Sequence, residues 1–200
     1  MKKLFIIIII FISFQTWTKA DDIRDFEIEG FSVGDNLLNK YSKSKINKNI
    51  FPTSFVSKKY IKVIFDKMYD DINLTLYDKI IFYIENGDNQ FIIQSINAGK
   101  DYDNDLDNCI KEKDQIFNEM KSLFTNIKNQ RNSTYDHPYD KTGNSKIYQN
   151  ILYLNSGATT KVACIDFSEK LETDEKRMDH LRFTIGTAKY SIWLRDEAYK

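Results

Sequence analysis

Five side chains supply the groups that nucleophilic hydrolysis uses. His137, Asp140 and Ser145 lie within one loop, and Asp166 and His180 lie elsewhere in the chain. A serine nucleophile needs an imidazole to take its proton and a carboxylate to orient that imidazole. The residue types are present, but no GxSxG elbow accompanies them and Ser145 opens a strand pattern. The same residues suit a structured loop in which Asp140 and Ser145 cap backbone amides. No catalytic residue is therefore assigned, and His137, Asp140 and Ser145 are carried forward as a candidate functional loop.

Metal chemistry has one apparent template. Asp101, Asp103, Asp105, Asp107 and Glu112 match positions 1, 3, 5, 7 and 12 of a calcium loop. Leu106 stands where the sharp turn wants glycine, and the following apolar stripe puts these residues at the start of a helix. Acidic side chains there favour the helix dipole instead. The two histidines are 43 residues apart, without zinc-site spacing. No metal and no cofactor is expected.

The elements that position these groups follow from periodicity. From Asn104 to Ile127 the apolar residues Leu106, Cys109, Ile110, Ile116, Phe117, Met120, Leu123, Phe124 and Ile127 recur at the three-four spacing of one helical face. Asn104 or Asp105 can cap it. Lys113 falls inside the apolar arc, so its stem either snorkels to a sheet edge or pairs with a buried carboxylate. Strand patterns cover Phe55 to Phe65, Leu74 to Glu85, Gln90 to Ala98, Ser145 to Leu154, Thr159 to Phe167 and Leu181 to Gly186. Asn86-Gly87-Asp88 and Asn155-Ser156-Gly157 read as hairpin turns, and Gln130 to Asn144 reads as a turn-rich loop. A last helix, Ala188 to Tyr199, should bury Ile192 and Trp193, with Leu194 as a further candidate. The expected class is α+β: an antiparallel sheet of about six strands packed by one long central helix, with short N-terminal and C-terminal helices.

Lys2 and Lys3 precede an apolar run from Leu4 to Phe14, and Thr18-Lys19-Ala20 supplies small residues at a cleavage site. Residues 1–20 thus read as a signal peptide, and 21–200 as a single α+β domain. The apolar core is too short for an uncleaved anchor, so no stable membrane insertion is expected after cleavage. Removing Lys2, Lys3 and Lys19 leaves 26 basic against 29 acidic residues, which offers no basic field for nucleic acid. In an oxidising compartment the two cysteines, Cys109 and Cys164, are expected to form a disulfide. Since Val162 and Cys164 alternate with Ala163 and Ile165, the bridge requires the helix to cross the sheet on the Val162 and Cys164 face.

Several stretches together resemble a family of small uncharacterised exported proteins from AT-rich marine bacteria. They are IEGFSVGDNLL at Ile28 to Leu38, Tyr77-Asp78, the Cys109 helix, HPYDKTGNSKI at His137 to Ile147, ACIDFS at Ala163 to Ser168, DHLRFTIGT at Asp179 to Thr187 and WLRDEAY at Trp193 to Tyr199. The resemblance implies export and supplies no catalytic residues. The reading preferred from sequence is a non-catalytic periplasmic or secreted module that binds an unidentified protein or small ligand. The alternative is a hydrolase using the 134–145 loop.

Overall fold

Alternating apolar residues and two glycine turns build one sheet. The structure is a computed structural model in which residues 22–103 and 105–200 are described. The expected signal peptide, residues 1–20, lies outside them, as does Asn104. In chain order, α1 (Lys43–Lys48) leads to β1 (Ile50–Phe51), β2 (Tyr60–Asp66), β3 (Lys79–Glu85) and β4 (Ile93–Asp101). After α2 (Leu106–Leu123) come β5 (Ile127–Asp136), β6 (Lys146–Leu154), β7 (Thr159–Asp166), α3 (Glu169–Glu175), β8 (His180–Gly186) and α4 (Ala188–Asp196). Two 3₁₀ turns, Ile23–Asp25 and Leu37–Asn39, precede α1.

All strand pairs are antiparallel, in the order β1-β2-β3-β4-β8-β7-β6-β5. Two four-stranded meanders therefore meet at the β4–β8 seam. The hairpins at Gly87 and Gly157 form as expected, each glycine taking a positive φ (85° and 90°) that other residues adopt only under strain.

The class is α+β, but the sheet has eight strands instead of six. The strand that the sequence pattern does not display is β5, whose residues read as a helix tail and a loop. It is an edge strand exposed on both faces, so its sequence, KNQRNSTYD, shows no alternation. β1 is only two residues long. The helix ends at Leu123, with Phe124 already extended. Phe124 and Ile127 still face the same core, which is why the helical stripe seemed to continue through them.

A single central helix also proves too simple. An 18-residue helix is about 27 Å long and about 10 Å across, whereas eight strands span about 38 Å. Accordingly α2 packs on β6, β7 and β8. The other half of that face is closed by the N-terminal segment, where Phe31 meets Phe82 (centroids 4.8 Å apart) and Tyr41 meets Phe65 (4.4 Å). Lys113 is buried and pairs with the partly exposed Asp114, whose carboxylate also accepts from Asn150. Asp105 caps α2 by accepting from the Asn108 amide. Among the described residues no helix is long and apolar enough to cross a membrane.

Cys109 and Cys164 are joined, with Cα atoms 6.0 Å apart. Both sit in the main core with Val162, so the helix crosses β7 on the face the alternation requires. The bridge closes a separation of 55 residues. A Cys109→Ser/Cys164→Ser variant is expected to lose about 4 kcal/mol of unfolding free energy. Chemical denaturation measures this, and an unchanged midpoint would show that core packing alone sets the helix position.

Candidate functional site

Among the described residues, the sheet face opposite α2 is covered only at its two ends. At one end α4 lays Tyr190 and Trp193 on Tyr60, with Phe55 and Tyr83 beside them. Trp193 lies 4.5 Å from Tyr60 between centroids, and its indole N–H donates to Ser57. Ile192, expected in this core, is instead 43% exposed, because the helix presents Tyr190 and Trp193 to the sheet. At the other end Leu171 of α3 packs on Ile147, Ala163, Ile165 and Phe167.

Polar side chains occupy the gap between these clusters. In β8, Leu181, Phe183 and Ile185 point into the main core, so His180, Arg182 and Thr184 point the other way. Across the β4–β8 pair Asn97 stands opposite Thr184 and Gly99 opposite Arg182; across β7–β8 Lys161 stands opposite Thr184. Arg182 and Lys161 are thus diagonal neighbours on one face, and both are half-buried. Among the described residues neither forms an ion pair. Burial, with the neighbouring Arg182 guanidinium, pushes the Lys161 ammonium down to about 8. Asn97 Oδ1 and Thr184 Oγ1 are out of reach of water and have no hydrogen-bond partner among the described residues.

A cavity of about 430 Å³ opens over Arg182, His180 and Gly99. It is bounded by Ile81 and Lys79 of β3, and by His137, Tyr139, Phe167, Arg177 and Met178 from the α3 end. Its size falls in the range of small-molecule sites. Lys79 is paired with Asp66 and Arg177 with Glu175, the exposed Lys176 also lines the cavity without an ion pair, and Asp101 is the one carboxylate on the lining among the described residues.

His180 holds Arg182 in place. Its Nδ1 lies 2.9 Å from the Met178 carbonyl, which can only accept, so Nδ1 carries the proton. Nε2 then accepts from Arg182 Nη2 at 3.1 Å. Burial and the facing guanidinium push this imidazole down to about 4, so it is neutral at physiological pH. The same field reaches His137, which burial and then Arg182 and Arg177 depress, against an opposing pull from Asp140.

The candidate loop separates into two parts. His137 lines the cavity and stacks on Phe167. Asp140 and Ser145 are buried in a closed cluster beneath it. Ser145 Oγ donates to Asp140 Oδ2 at 2.6 Å and accepts from the Ser168 amide at 2.9 Å, while Asp140 Oδ1 accepts from the Thr142 amide and hydroxyl. These bonds, led by that from Ser145, hold the Asp140 carboxyl well below the usual range. They fix the loop and commit the Ser145 hydroxyl on both sides. Asp166 lies opposite Lys146 at the end of the β6–β7 pair.

Arg182, Lys161, Asn97 and Thr184 were not singled out from sequence. A signal did exist: in LRFTIG and TKVACID a cation alternates with core residues, which places it on the second face of a strand. Reading it required knowing that β7 and β8 are central and that the face is only half covered.

A larger hollow, about 750 Å³, lies between α2 and the 76–77 segment. Two of its carboxylates, Glu112 and Glu29, are engaged within the protein. Lys100 binds Glu112 at 2.6 Å, and the Glu29 carboxylate accepts from the Thr75, Leu76 and Tyr77 amides. Compared with protein-family models, curated proteins and solved structures, the chain matches none.

The low value for His180 has a pH consequence. Because it lies below the ordinary imidazole value of about 6.5, the unfolded chain takes up this proton more readily than the folded one. The contribution of His180 is complete above about 6.5 and is lost as pH falls toward about 4. An NMR titration should place its midpoint near about 4, and His180→Gln should remove its share of the acid destabilisation. A midpoint at 6.5 would mean that the contact with Arg182 does not form.

Proposed function

We propose that the protein is an exported, disulfide-tied binding module whose ligand is a small organic anion seated on the half-covered sheet face. The observation that carries this reading is the pair of half-buried cations, Arg182 and Lys161, with no ion-pair partner among the described residues. Withdrawing a cation from water without a counter-ion is costly, and a bound anion offsets that cost. A guanidinium presents five N–H donors, of which His180 occupies one. The remaining donors suit the two oxygens of a carboxylate.

The apolar N-terminal run, the Cys109–Cys164 bridge and the resemblance to small exported proteins all support a periplasmic or secreted location. Binding is preferred to hydrolysis through the 134–145 loop because the Ser145 hydroxyl is buried and engaged on both sides. On this reading His137 borders the ligand, and Asp140 and Ser145 shape the loop that carries it.

Titration calorimetry with small carboxylates and with their amides tests the proposal. Carboxylates should bind and amides should not, and Arg182→Gln should weaken binding by roughly ten- to a hundredfold. Equal binding to wild type and Arg182→Gln would contradict the proposal.

A further inference from the structure

The cavity over Arg182 has walls of two different kinds. On one side are flat rings: Phe167 lies 5.0 Å from His137 and 6.0 Å from His180 between centroids. The Arg177 guanidinium lies 4.6 Å from the Tyr139 ring centre, extending this wall outward. On the strand side the residue paired with Arg182 is Gly99, which offers no side chain. A Cβ at Gly99 would meet only the Leu181 carbonyl oxygen and the Lys79 Cβ, both at 3.9 Å. The volume beside the guanidinium is therefore open because a glycine stands there.

We infer that the ligand of this site is a planar, ring-bearing carboxylate, its carboxyl group on Arg182 and its ring between the Gly99 backbone and the His137–Phe167–His180 rings. This rests on the reading of the site as an organic-anion seat and goes further, since it specifies the body of the ligand. Rings attract a flat arene in offset or edge-to-face geometry beyond what buried area alone supplies. His180 contributes a neutral ring, because its protonated nitrogen is bound to Met178 and its other nitrogen accepts from Arg182. A carboxylate on a flat ring places both oxygens in the ring plane, in reach of a guanidinium fork at the base of a narrow space. The cavity, about 430 Å³, holds one such molecule.

The experiment compares benzoate, acetate and benzamide by calorimetry, on wild type and on Gly99→Val and Tyr139→Ala. Benzoate should bind about tenfold or more tightly than acetate, and benzamide should give no heat. Gly99→Val puts a side chain into the open volume from a strand position with ordinary backbone angles. It should lower benzoate affinity about tenfold, more than it lowers acetate affinity, with the melting temperature reporting that the variant folds. Tyr139 is 51% exposed, so Tyr139→Ala keeps the fold and should weaken benzoate severalfold without affecting acetate. Acetate matching benzoate, or benzoate binding to both variants as to wild type, would overturn the ring-bearing ligand and leave the anion seat standing. No binding of either carboxylate would overturn both.

Discussion

An eight-stranded antiparallel sheet has two faces to keep from water, and the covering elements of this chain close only one of them. The α2 helix and the N-terminal segment share the first face, where the core is continuous from Phe65 to Leu154. The Cys109–Cys164 bridge pins α2 over β7, so the N-terminal segment is needed to close the half beyond it. What remains for the second face is α4 at one end and α3 with the 137–145 loop at the other. The polar strip at the centre follows from that shortage. It lies at the centre of the sheet, beside the seam where the two meanders pair.

Such a strip could have been closed by apolar side chains, as the Tyr60–Trp193 cluster shows nearby. Instead it carries an arginine and a lysine with no ion pair among the described residues, and an asparagine oxygen and a threonine hydroxyl with no hydrogen-bond partner there. Between α2 and the 76–77 segment, every strong charge named above meets an opposite charge or a set of amides. Over β8, Arg182 meets a neutral histidine and has the Lys161 ammonium as its diagonal neighbour, and neither supplies a counter-charge. An arginine held by a neutral histidine keeps its full charge and a fixed orientation, which is what a receptor for an anion requires.

Much of the frame was legible in the sequence because it obeys local rules. The helical stripe from Leu106 to Leu123, the glycine hairpins and the alternation of VACID all report faces that pack. From two of these came the side of the sheet on which Cys164 meets Cys109, and the structure has the pair there. Strand β5 was not legible, since an edge strand exposed on both faces has no apolar period to display. The site was illegible for a different reason. Arg182, Lys161, Asn97 and Gly99 come from three strands, and their juxtaposition depends on a strand order that pairs β4 with β8 across more than eighty residues. Within the candidate loop, His137 reaches the cavity only because the buried Asp140 and Ser145 shape the turn beneath it.

The central claim is that the Arg182 guanidinium is the anion receptor of a half-covered sheet face. Its side-chain N–H resonances, followed by ¹⁵N-edited NMR while benzoate is added, report on that claim most directly. The account predicts saturable shifts of the Arg182 guanidinium together with the Asn97 side-chain amide and the Thr184 backbone amide, which lie beside it on the sheet. Shifts confined to the exposed Lys176 and Arg177, or none at all, would contradict it.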